Sequence, residues 1–167
     1  EQVLEGKFRP GHFQGVCQAV DRLLEIVQPH NLYMGQKDYQ QCMVIKKLLE
    51  ITGRENLVKL TIVPTVRETD GLAMSSRNLR LNEEQRKLAT SIYKELNFIK
   101  EHIYQQSLDE LKKNAGDHLI QKGFKVDYVE IANANDLSTA DDASNKIVVL
   151  AAATTGQIRL IDNLILN

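Results

Sequence analysis

The chain has 167 residues, 43% of them hydrophobic and 26% charged, with a formal net charge of −1. This is an ordinary globular composition, long enough for one domain or two small ones. It excludes a polybasic nucleic-acid binder, and the longest apolar run, Ile147 to Ala153, is far too short to cross a bilayer. No nucleic-acid partner and no membrane are therefore expected. The 4 Phe and 5 Tyr are scattered, without the basic-aromatic alternation that stacks bases.

Cys17 and Cys42 are the only cysteines, and neither has zinc-finger spacing to a His or a second Cys. They read as buried free thiols in a reducing compartment. Without a signal-peptide pattern, a cytoplasmic location is expected. The first residue is Glu1 rather than Met, so the sequence reads either as processed or as a piece of a longer chain.

Taken in order, Glu5 to Phe13 reads as a loop, punctuated by Gly6, Pro10 and Gly11. Phe13, Val16, Val20, Leu23, Leu24 and Val27 then recur at helical spacing, and Pro29 ends that helix. Arg9 and His12 sit just ahead of it, where backbone N–H groups favour anions. A plain surface Arg and a helix-entry His explain the pair equally well. Asn31 to Gly35 predicts a short buried strand, and Gly35-Gln36-Lys37-Asp38 turns the chain into the next helix. Asp38 is expected to N-cap that helix, with Gln41 completing a capping box. Lys37 is harder to explain structurally, because a cation at a helix N-terminus opposes the dipole unless an anion binds beside it. The helix carries Ile45, Leu48, Leu49 and Thr52 on one side and stops at Gly53. Leu57 to Pro64 predicts a second strand. Strand, helix and strand together have the size of one parallel βαβ unit, in which ligands bind at the carboxyl ends of the strands.

Arg67 to Asn78 combines a turn signal, Asp70-Gly71, with two hydroxyls, a guanidinium and an amide in a row. Ser75, Ser76 and Arg77 have the donors to surround a polyphosphate. A plain strand-to-helix linker is the competing reading. Beyond it the pattern changes. Asn82-Glu-Glu-Gln85 and Ser107-Leu-Asp-Glu110 are capping boxes opening two amphipathic helices, the first to about Tyr104 and the second to Gly123. Val126 to Ile131 alternates like a half-buried strand, Asn133 to Lys146 is polar and irregular, Lys146 to Thr154 reads as a buried strand, and Gln157 to Asn163 returns after Thr155-Gly156. Two helices and then three antiparallel strands predict a separate α+β domain. The predicted domains are 1–66 and 67–167. None of the four histidines pairs with Ser or Cys at triad spacing, so nucleophilic catalysis is not expected.

Four stretches together are distinctive: Glu5-Gly-Lys-Phe-Arg-Pro-Gly-His-Phe-Gln-Gly-Val16, Met34-Gly-Gln-Lys-Asp-Tyr-Gln-Gln41, Asp70-Gly-Leu-Ala-Met-Ser-Ser-Arg-Asn78 and Arg159-Leu-Ile-Asp-Asn163. In this order and spacing the chain resembles the pantoate–β-alanine ligase family, from Glu5 to Asn163. The resemblance implies ATP-dependent condensation of pantoate with β-alanine through a pantoyl adenylate, releasing AMP and pyrophosphate, with Mg²⁺ accompanying ATP. It implies an α/β fold: part of a Rossmann-like nucleotidyltransferase domain (residues 1–66), then a small α+β domain with a three-stranded antiparallel sheet. It also implies a homodimer.

By the same resemblance Gly35, Gln36, Lys37, Asp38, Val66, Met74, Ser75, Ser76 and Arg77 contact ATP. Lys37, Ser75, Ser76 and Arg77 are its catalytic charge-stabilising groups, while Gln41, Arg9 and His12 contact pantoate. No metal-binding side chains are implied. The family's His-x-Gly-His nucleotide motif has no match in the chain. The expectation is that the sequence starts midway through the ATP domain and is inactive alone. The alternative is a non-catalytic dimerisation or folding module, and a third reading is a nucleotidyltransferase acting on another acid.

Overall fold

A computed structural model describes residues 3–140 and 146–166. The chain divides into two compact units, Glu1–Pro64 and Thr65–Asn167.

The first unit opens with helix α1 (Leu4–Phe8), followed by α2 (His12–Val27). The loop expected at Glu5 to Phe13 is thus partly helical. Its first turn is held from a distance: the Glu5 N–H donates to Gln40 Oε1 at 2.8 Å, and Gln40 Nε2 donates to the Val3 carbonyl at 3.0 Å. Strand β1 (Asn31–Gly35) leads through a 3-10 turn, Gln36–Asp38, into α3 (Tyr39–Ile51), and β2 (Lys59–Val63) closes the unit. β1 and β2 pair in parallel, from Asn31 opposite Lys59 to Gly35 opposite Val63. This is the expected βαβ arrangement.

Two details differ from expectation. β1 is not a buried strand: Asn31, Tyr33 and Gly35 are exposed and Leu32 and Met34 half-buried, because side chains alternate across a strand and only one face is covered within this unit. Asp38 makes no side-chain capping bond, since the 3-10 turn feeds directly into α3. Leu24, Leu49 and Val58 form a small core, joined by Val20, Leu32 and Leu60.

The second unit contains α4 (Glu83–His102), α5 (Leu108–Gln121), β3 (Lys125–Asn133), β4 (Ile147–Thr155) and β5 (Ile158–Ile165). Both predicted capping boxes form. The Asn82 side chain accepts from the Gln85 N–H while Gln85 reaches back to the Asn82 N–H, and Ser107 and Glu110 do the same. The strands make an antiparallel sheet in the order β3-β4-β5. β4 is central, and Val148 through Ala153 are all buried. Leu96, Ile99, Leu111 and Leu119 from the helices pack with Ile131, Val149, Ala151 and Leu160 from the sheet. Burying a side chain of that size contributes about 1.5–3 kcal/mol. Part of the irregular stretch expected at Asn133 to Lys146 lies outside the described residues.

Candidate functional site

In the first unit, the sequence-predicted residues cluster at two places. Gly35 ends β1, and Gln36, Lys37 and Asp38 form the turn immediately beyond its carboxyl end. That is where open parallel sheets bind ligands. The Lys37 side chain is only 18% exposed and has Asp38 Oδ1 4.0 Å away, so the cation has a carboxylate neighbour at the helix entrance. Gln41 lies half-buried in the first turn of α3. Its neighbour Gln40, which the sequence did not single out, ties that turn to α1. The Cys42 thiol donates to the Gly35 carbonyl at 3.5 Å. Burial first, and the Asp38 charge second, push this thiol up to about 11, so it stays a neutral packing group and not a nucleophile. Cys17 is only half-buried, contrary to expectation, because it lies beside the exposed positions of α2.

The second place is the start of α2. Arg9 Nη1 and His12 Nε2 are 3.1 Å apart, and Arg9 also approaches Glu5 Oε2 at 3.9 Å. The pair forms one polar group three residues apart in sequence, with Gly11 between them in the left-handed conformation (φ 76). That conformation suits glycine and lets the chain turn sharply into α2.

In the second unit, Val66, Met74, Ser75, Ser76 and Arg77 lie along one loop. The Met74 N–H donates to the Val66 carbonyl at 2.9 Å, and Arg67 bridges to Ala73 in antiparallel fashion. Ser75 then caps a 3-10 turn, Ser76–Arg80, accepting from the Arg77 N–H at 3.2 Å. Val66, Met74, Ser76 and Arg77 are exposed and Ser75 is half-buried. Asn78 anchors the far end through Nδ2 to the Ala73 carbonyl at 3.0 Å. Its Oδ1 is buried and has no hydrogen-bond partner among the described residues. An acceptor left so costs about 1–3 kcal/mol unless a ligand or water reaches it. Asp70, in the same loop, is held below the usual carboxylate range by hydrogen bonds from Arg86, at 2.6 and 3.2 Å.

These elements define an α/β protein with polar, hydroxyl- and cation-bearing loops. One follows a parallel strand, and the other precedes an α+β module. The family model of pantoate-beta-alanine ligase matches residues 1–165, and the chain belongs to that family. It is 47% identical to the pantothenate synthetase of Neisseria meningitidis over 98% of its own length, and 41% identical to that of Fervidobacterium nodosum over 99%. Among solved structures, a pantothenate synthetase from Thermus thermophilus covers 97% of the chain at 40% identity and a TM-score of 0.88. A pantoate-beta-alanine ligase from Francisella tularensis, complexed with beta-gamma ATP and β-alanine, covers 97% at 34% identity and a TM-score of 0.72. The chain spans 59% of the length of the Neisseria, Fervidobacterium and Thermus proteins and 53% of the Francisella one.

Proposed function

We propose that the chain supplies part of the active site of a ligase that condenses pantoate with β-alanine at the expense of ATP. The pantoate carboxylate oxygen attacks the α-phosphorus of ATP and pyrophosphate leaves. The β-alanine amine then attacks the acyl carbon of the pantoyl adenylate and AMP leaves. The observation that carries this reading is the family match across residues 1–165. The Francisella relative's complex with an ATP compound and β-alanine supports the substrates.

In this reading Gly35, Gln36, Lys37, Asp38, Val66, Met74, Ser75, Ser76 and Arg77 contact ATP, while Gln41, Arg9 and His12 contact pantoate. The first step needs charge stabilisation on phosphate oxygens, since the substrate carboxylate is itself the nucleophile. Lys37, Ser75, Ser76 and Arg77 are chemically suited to that. Mg²⁺ is read as an ion carried by the ATP phosphates, because Asp38 is the single carboxylate among the side chains named here. The reading includes a cytoplasmic homodimer, and it needs further residues from the part of the relatives that this chain does not cover.

A second reading keeps the family but makes the chain a non-catalytic folding or dimerisation module when alone. The self-contained core of the second unit favours it. The ligase reading is tested with a chimera in which the chain replaces the matching segment of the Neisseria meningitidis enzyme. Pantoate-dependent pyrophosphate release is expected, and Lys37→Ala should reduce it about 10²-fold, the scale for one electrostatic contact in a transition state. Unchanged release in that variant would remove the role given to Lys37.

A further inference from the structure

Arg67 has more partners than an exposed linker needs. Its side chain is 16% exposed and that of Asp162 is 6% exposed. The two form a bidentate pair, Nη1 to Oδ2 at 2.6 Å and Nη2 to Oδ1 at 3.0 Å. Nη2 also donates to the Asn163 carbonyl at 3.2 Å, and the guanidinium carbon lies 4.0 Å from the Tyr93 ring centroid. Arg67 is thereby fastened to β5 and α4, across 95 residues of sequence. A planar fork stacked on an aromatic ring is a demand that Lys cannot meet.

The other side of Arg67 faces the loop. Nη1 donates to the Gly71 carbonyl at 3.0 Å. Gly71 adopts φ +90 against the Tyr93 ring, and a Cβ there would come within 2.3 Å of it. The Glu68 N–H donates to the Leu72 carbonyl at 2.8 Å, Arg67 bridges to Ala73, and Ala73 receives the Asn78 amide. Met74 to Arg77 therefore hangs between Ala73 and Asn78, both referred back to Arg67. The bond from the Arg77 N–H to Ser75 Oγ is local and orients nothing beyond the turn.

We infer that Arg67, clamped by Asp162 and stacked on Tyr93, is a positioning residue that sets the Met74–Arg77 loop for the phosphates of ATP; this rests on the ligase reading above. It also gives a use to the Arg159-Leu-Ile-Asp-Asn163 stretch, whose Asp162 and Asn163 are the far end of the clamp. Misplacing a reactive group by about 1 Å costs about 10² in rate.

The test uses the folded Neisseria chimera, with Arg67→Lys and Asp162→Asn. Pantoate-dependent pyrophosphate release should fall in kcat by about 10²-fold in both, with the KM for pantoate unchanged. In the 167-residue chain, hydrogen exchange should show faster exchange of the Leu72 and Met74 amides, with Val149 and Ala151 of β4 as protected as before. A loss of protection spread through β4 makes Arg67 a general stabiliser and overturns the assignment. So does an active chimera whose kcat ignores both substitutions. A folded wild-type chimera with no pantoate-dependent activity overturns the ligase reading and the assignment together.

Discussion

The two units solve the burial problem differently. In the second, a central strand with six consecutive buried residues, Val148 to Ala153, is covered by α4 and α5 and flanked by β3 and β5. In the first, a two-stranded parallel sheet leaves Tyr33 at 66% and Val63 at 39% exposure, and α2 leaves Ile26 at 66% and Val27 at 65%. Parallel strands are ordinarily covered on both faces. The second unit thus has the makings of an independent scaffold, while the first carries its polar loops on a frame that is apolar and open. The candidate loop Met74–Arg77 is tied to the well-packed unit, whereas Lys37 and Gln41 sit on the sparsely packed one.

Hydrogen exchange is the widest lens on this contrast. The amides of Val149, Leu150 and Ala151 in β4 should exchange through the highest-energy openings, and those of Leu32 and Leu60 through much smaller ones, a gap spanning several orders of magnitude in protection. Equal protection would erase the contrast. Next in size is Leu96→Ala in the second unit, where the side chain is fully buried. It should cost about 2–5 kcal/mol, measured by urea unfolding. Smaller still is Asn82→Ala, which removes the α4 capping box and should cost about 0.5–2 kcal/mol in the same assay. The smallest is the Asp70–Arg86 tie. Because hydrogen bonds from Arg86 hold the folded carboxyl below the ordinary aspartate range, its contribution is present above that range and fades as pH falls through the lower folded value. A carboxyl NMR titration of Asp70 should give a midpoint below that of an unpaired aspartate.

Much of this was legible in the residues because it is local. Asn82-x-x-Gln85 and Ser107-x-x-Glu110 name their helix starts from side-chain chemistry alone, and both boxes form. The apolar run from Ile147 makes a central strand because no polar face interrupts it. The parallel pairing of β1 and β2 followed from the length of the connection. What was not legible depends on distant partners. Helix α1 exists where Gly and Pro signal a loop, because Gln40 accepts from Glu5 35 residues away. Asp38 looks like a cap and is not one, since the 3-10 turn already leads into α3. The Arg67 clamp joins two stretches that were each conspicuous in the sequence, but nothing local says that they meet. The candidate residues stood out as a match to a family pattern, while their geometry came only from the fold.

The most direct measurement is pyrophosphate–ATP isotope exchange in the Neisseria chimera, with pantoate present and β-alanine absent. An adenylate-forming ligase returns labelled pyrophosphate to ATP under those conditions and requires no amine. Exchange should depend on pantoate and fall about 10²-fold in Lys37→Ala. Exchange that requires β-alanine, or none at all from a folded chimera that binds ATP, would contradict the ligase reading.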